Sequence, residues 1–151
     1  MLCETAQKLP LDEMIKYRSL CERGEFYDHL MGQSSGVDRA GFKRGMFREV
    51  FFGRVNPDYK HATRFRTEFP GIWSILAEIK AGDHTILARA LQRYESSLVI
   101  GKVCRRIMTE MPDAPLLTIH DSLLTTAPVQ DDFRRVLLDE YAAVGLSPTL
   151  H

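Results

Sequence analysis

The sequence predicts an α-rich α+β fold, and three observations carry the prediction. Apolar residues recur at helical spacing through most of the chain, and glycine and proline interrupt that pattern at short intervals. One β-branched and apolar run, Leu116 to Thr126, breaks the helical pattern and reads as a two-stranded hairpin centred on His120-Asp121. With 151 residues, 44% of them hydrophobic, the chain can bury a core of its own, and its length suits a single domain.

Each element has its own punctuation. Pro10-Leu11-Asp12-Glu13 opens a first helix, with proline and acids in the first turn, and Gly24 closes it. A short segment from Glu25 to Leu30 precedes the flexible loop Gly32-Gln33-Ser34-Ser35-Gly36. Asp38 is placed to cap a basic helix that ends near Gly53 and Asn56-Pro57, and Asp58 to cap the helix after it. Pro70-Gly71 separates that helix from one over Ile72 to Ala81. Gly82-Asp83 then leads into the longest helix, His84 to about Met111, whose apolar face is Leu87, Leu91, Tyr94 and Leu98. Pro112 and Pro115 end it. After the hairpin, a last amphipathic helix runs from Gln130 to Val144 and stops at Gly145. There is no internal repeat or low-complexity region.

Composition narrows the function classes. No apolar run approaches the roughly 18 residues that span a bilayer, so a soluble protein is expected. Cys3, Cys21 and Cys104 are odd in number, far apart and free of CxxC spacing. They read as reduced thiols of a cytoplasmic protein. The zero net charge conceals an asymmetry: Val37 to Phe69 holds eight Lys/Arg against four acids, whereas Thr109 to the end holds two arginines against seven acids. A basic centre can attract a polyanion, and an acidic end can hold cations or repel phosphate.

Two constellations carry chemistry. Arg39, Lys43, Phe47 and Phe51 recur at every fourth residue, which stacks two cations and two rings along one helix face. The cations suit two phosphates of a nucleoside triphosphate, and the rings suit its base or sugar. Asp121, at a tight strand turn, would project a carboxylate of the kind that holds metal ions in phosphoryl transfer. His120 beside it could donate to a nucleic-acid phosphate, and Gln92, on a polar stripe with Arg89 and Ser96, could read a base edge.

Arg39-x3-Lys43-x3-Phe47-x3-Phe51 resembles the nucleotide-binding motif on the fingers helix of family A DNA polymerases and the related single-subunit phage RNA polymerases. Ile119-His120-Asp121-Ser122 is similar to their palm motif C, and Leu91-Gln92-x2-Glu95-Ser96 falls where the family carries a glutamine on its long palm helix. Order and spacing agree from about Val37 to Thr126, and divergent phage or prophage enzymes are the nearest in kind. The resemblance implies a fingers-like helical part over residues 1–82. It also implies a partial palm over 83–151, with the long helix packed on the hairpin.

The resemblance further implies that Arg39 and Lys43 contact the triphosphate, that Phe47 packs near the incoming base, and that Phe51 takes the place of the family's tyrosine. Gln92 would touch the primer-template minor groove, His120 the primer end, and Asp121 a catalytic Mg²⁺. In the family, glycine directly follows that tyrosine. Here Phe52 stands before Gly53, so a shifted or bulged helix end is expected. His-Asp-Ser is closer to the phage RNA polymerases than to the His-Asp-Glu of the DNA enzymes.

The family's first catalytic aspartate, on the strand of motif A, has no counterpart: Asp12 and Asp38 fall at helix starts, and Asp28 is too near the fingers helix. A chain that binds nucleotide and DNA primer-template but is inactive alone is therefore implied, with a missing N-terminal half as partner. An absent palm strand should leave an open sheet edge or an exposed apolar face, and hence a tendency to form homo-oligomers.

Two other readings follow from the residues alone. The chain could be a non-catalytic module that binds nucleic acid or protein, with a phosphate-binding helix and a structural hairpin. It could instead be a hydrolase in which His61 or His84 joins His120 and Asp121. Cysteine catalysis is disfavoured, because the neighbours of Cys21 and Cys104 suggest packing.

Overall fold

The computed structural model of the chain describes residues 11–32, 38–119 and 122–149. These are mostly helical with one two-stranded antiparallel sheet, an α+β fold. The chain divides into two compact units, Met1–Arg89 and Ala90–His151.

The first unit is built from α1 (Leu11–Glu22), α2 (Phe26–Met31), α3 (Arg39–Met46), α4 (Lys60–Glu68) and α5 (Pro70–Lys80), and α6 (Ile86–Leu98) begins in it. Gly24, with φ of 71°, closes α1. Its N–H donates to the Cys21 carbonyl at 3.1 Å, and the Glu25 N–H donates to that of Leu20 at 2.9 Å. This is a Schellman closure, which needs a residue without a Cβ penalty at positive φ. Asp38 caps α3 as its position predicts, accepting from the Ala40 and Gly41 N–H groups at 3.2 and 2.9 Å.

The end of this basic helix is bulged. α3 continues into a π turn over Phe47–Phe51, in which the Phe52 N–H reaches back five residues to the Phe47 carbonyl at 2.8 Å. The turn absorbs the residue that stands between Phe51 and Gly53. It also explains the glycine, because a Cβ there would lie 2.0 Å from the Arg48 carbonyl oxygen.

The core of this unit is aromatic. Phe65 and Phe69 are fully buried among Phe26, Phe42, Met46, Val50 and Trp73, and Tyr17 meets Phe26 and Phe69 edge-on, both at 5.3 Å. Edge-to-face contacts of this kind add about 1 kcal/mol each beyond area burial.

The caps of α4 and α5 depart from expectation. Asp58 does not cap α4; its backbone N–H is held by the Asn56 side chain at 3.0 Å, and the helix begins at Lys60 with no side-chain cap from its own N-cap residue. The carboxylate of Glu49 takes that place by accepting the His61 N–H at 3.0 Å. Likewise α5 begins at Pro70, two residues before Ile72, and the carboxylate of Glu13 accepts the Gly71 and Ile72 N–H groups at 3.1 and 2.7 Å. The unpaired donors of both helix starts are thus satisfied by acids from other helices.

In the second unit α6 widens into a π turn, Val99–Cys104, before α7 (Arg105–Glu110). The helical run starts at Ile86 and not at His84. The Asp83 carboxylate holds the Thr85 N–H at 2.9 Å and hydroxyl at 2.7 Å, which fixes residues 83–85 as a turn. The predicted apolar face is only partly covered: Leu87 and Leu98 are buried, but Leu91 and Tyr94 are 48% and 53% exposed.

Beyond α7 lie β1 (Leu117–Ile119), β2 (Ser122–Leu124), a single 3₁₀ turn (Ala127–Val129) and α8 (Gln130–Ala143). A second Schellman closure ends α8 at Gly145, where φ is 75° and the Leu146 N–H donates to the Tyr141 carbonyl at 2.9 Å. The strands pair Leu117 with Leu124, Thr118 with Leu123 and Ile119 with Ser122. Leu123 packs on a small core of Val103, Ile107, Phe133 and Val136, while Leu117, Ile119 and Leu124 are exposed. The sheet has two strands among the described residues, and its outward face is apolar. Arg106 ties α7 to α8 by donating to Glu140 and Asp139 at 3.2 and 3.1 Å while bonding Glu110 at 2.6 Å.

Candidate functional site

The basic stripe forms on α3 and its π turn, with Tyr27 of α2 beneath it. The Arg39 guanidinium lies 5.7 Å from the Tyr27 ring centroid, and the Lys43 ammonium lies 5.8 Å from the same ring and 5.9 Å from that of Phe47. These are cation–π distances, worth about 0.5–1 kcal/mol each where solvent reaches them. Burial pushes the Tyr27 phenol up, so the ring under the two cations stays neutral at physiological pH.

The two cations differ in what occupies them. Arg39 is engaged: its Nε donates to both Asp28 carboxylate oxygens at 3.0 and 3.2 Å, and Nη2 donates to the Gly24 carbonyl at 3.2 Å. Lys43 is exposed and has no hydrogen-bond or ion-pair partner among the described residues. An incoming phosphate would therefore meet Lys43 directly but would have to compete with Asp28 for Arg39. The Arg39–Asp28 pair is exposed on both sides, and such pairs are worth less than about 1 kcal/mol, so the competition is mild.

The rings of the stripe also part company. Phe47 is half-buried, 5.0 Å from Phe52 and 5.9 Å from Phe51. Phe51 is turned toward the core by the π turn and contacts Phe65 at 5.8 Å. Arg39, Lys43 and Phe47 are thus brought together on the surface, and Phe51 supports them from the core side. Gln92 lies exposed on α6, in the second unit. His120 and Asp121, the motif C pair, lie outside the described residues. Among the described residues no group of three or more His, Cys, Asp or Glu side chains is placed to hold a metal ion, so Mg²⁺ stays an implication of the resemblance.

The remaining titratable groups have structural work. His61 Nδ1 lies 2.8 Å from Glu49, and the His61 ring rests against Gly45, where a Cβ would sit 2.3 Å from Cε1. Burial pushes the Glu49 carboxyl up, but the Arg48 guanidinium and the His61 N–H and ring outweigh it and hold the group at about 2. Burial raises the thiols of both Cys21 and Cys104, the opposite of activation, although Cys21 is exposed and not packed as expected. No helix among the described residues is long and apolar enough to cross a membrane.

Sequence reasoning missed Tyr27, and it missed the pairing of Asp28 with Arg39. Both sit in the short segment before the loop, and their spacing to Arg39 has no helical period to betray it. No family model matches the chain, and no curated protein or solved structure is significantly similar to it.

Proposed function

We propose that the chain is a nucleotide- and nucleic-acid-binding segment related to family A polymerases, which binds a nucleoside triphosphate on the Arg39–Lys43–Phe47 stripe and does not catalyse nucleotidyl transfer alone. The observation that supports this reading is the exposed Lys43 ammonium, held over two aromatic rings on a helix face that also offers Arg39. A cation without a carboxylate partner attracts a phosphate more strongly than a paired one, and the rim of Phe47 gives a base or sugar an apolar surface. In this reading Gln92 and His120 contact primer-template, and Asp121 contributes one of the carboxylates that two-metal chemistry needs. Catalysis then requires a second aspartate from outside the chain described here.

The test is fluorescence anisotropy of a labelled primer-template duplex at two salt concentrations, with and without Mg²⁺ and dNTP. Nucleotide and Mg²⁺ are expected to strengthen binding, Lys43→Ala to weaken the nucleotide effect about tenfold, and Asp121→Ala to remove the Mg²⁺ effect. Salt-sensitive binding indifferent to nucleotide, metal and both substitutions would favour a second reading, a non-catalytic interaction module. That reading is supported by the stretch 89–97 of α6, which is exposed on every face.

A further inference from the structure

The first unit contains an open cleft of about 620 Å³ whose polar and charged lining residues are Arg54, Lys80, Asp83 and His84. Its charges are unevenly committed. Asp83, the one acid of the lining, has an oxygen on the Thr85 N–H and hydroxyl, and its other oxygen pairs with Arg89. Arg54 is exposed and has no ion-pair or hydrogen-bond partner among the described residues. Lys80 is the unusual member: only 4% of it is exposed, and its ammonium has a single described partner, the Val50 carbonyl at 2.8 Å. An ammonium carries three donors, so two remain after that bond.

A lysine buried without a carboxylate is disfavoured as a cation, and burial does lower the Lys80 ammonium from its ordinary range. An anion in the cleft would reverse that penalty. We infer that the cleft is a binding site for a phosphoryl group, free or carried on a small molecule, held by Arg54 and the spare Lys80 donors with His84 in its lining. Arg54 supplies the planar fork suited to phosphate oxygens, and Lys80 supplies a point charge in a partly desolvated position. A cleft of this size takes more than a bare anion. Ala77, Ala81 and Val55 add a smaller apolar share of the lining for the rest of the molecule. The site is separate from the Arg39–Lys43 stripe and does not depend on the stripe binding nucleotide.

The experiment titrates the full chain with inorganic phosphate and, separately, with ribose 5-phosphate while following the ring signals of His84 by NMR. Saturable shifts with a dissociation constant below about 1 mM are expected for at least one probe. Arg54→Ala, a surface change, is expected to weaken binding about tenfold, and Lys43→Ala to leave it unchanged. Tighter binding of ribose 5-phosphate would assign the site to a carried phosphoryl group, and saturation by inorganic phosphate alone to a free one. Absence of saturation with both probes, or shifts that Arg54→Ala leaves unaltered, would overturn the assignment. Lys80→Met is the second variant, expected to abolish binding; circular dichroism establishes that it remains folded.

Discussion

Glu49 sits on the π turn with one carboxylate oxygen on Arg48 at 2.7 Å and the other on the backbone and ring of His61, at a position where 7% of the residue meets solvent. Its folded carboxyl is held at about 2, below the ordinary 4.5. A depressed folded value stabilises the fold above the ordinary value, and that stabilisation is lost as pH falls toward the folded one. The gap corresponds to roughly 3 kcal/mol. Glu49→Gln is therefore expected to lower the urea-unfolding free energy at pH 7 by an amount of that order. The deficit should be constant above about pH 5 and shrink toward pH 2; a deficit independent of pH would show that shape and not charge matters. Gly45 faces the same histidine. An alanine in an exposed helix normally stabilises by about 1 kcal/mol relative to glycine. Here the Cβ would lie 2.3 Å from the His61 ring, so Gly45→Ala should destabilise by about 1–3 kcal/mol. Adding His61→Ala should recover much of the clash but lose the ring bond to Glu49 while keeping the backbone one, so the two changes will not add.

At the scale of elements, the first unit serves the starts of α4 and α5 and the end of α2 in trans. Glu13 and Glu49 serve the starts of α5 and α4, Arg64 donates to the Met31 carbonyl at the end of α2 at 2.6 Å, and Lys80 donates to Val50 at the π turn. Glu13→Gln should lower stability by about 1 kcal/mol, read from the urea midpoint, because it removes a charge from the positive end of α5. These caps also mark the limit of what the sequence shows. Gly24, Asp38 and Gly145 act within one turn of their own helices, so local pattern reveals them. Glu13 is 58 residues from the N–H of Gly71 that it holds, and no periodicity connects the two. Asp58 stands at the cap position by sequence, but the N–H of His61 is held by Glu49, which approaches from another helix. The stripe on α3 was legible for the same local reason that the caps were: four-residue spacing fixes a helix face. What the spacing does not contain is the π turn, which redirects Phe51, and the neighbouring helix, which brings Tyr27 and Asp28 under the cations. The hairpin was legible from β-branched residues and prolines, and its register leaves Leu117, Ile119 and Leu124 outward. Leu117→Thr with Leu124→Thr is expected to reduce any concentration-dependent association seen by sedimentation while leaving the far-ultraviolet spectrum unchanged.

At the scale of the whole chain, each unit has its own core, and the two cores differ in size and kind. That of Met1–Arg89 joins ten buried residues, six of them phenylalanine, tryptophan or methionine, whereas that of Ala90–His151 centres on Val103, Ile107, Phe133 and Val136. Fully burying one large apolar side chain is worth about 1.5–3 kcal/mol, so ten buried residues against four give the first core the larger apolar stabilisation, about two- to threefold. The second unit adds the Arg106 ion pairs, but solvent reaches these in part and each contributes little. Its hairpin has two strands, which are marginal without a packed face. Local stability should therefore be lower in the second unit. The chain's single tryptophan, Trp73, lies in the larger core and reports on the first unit alone, whereas far-ultraviolet circular dichroism reports helices of both. In a guanidinium titration the dichroism should begin to fall at a lower denaturant concentration than Trp73 fluorescence, and high salt should leave that order unchanged because burial and not ion pairing sets it. Coincident transitions by the two probes would mean that one cooperative unit spans the chain, and that the size of the second core does not govern where unfolding starts.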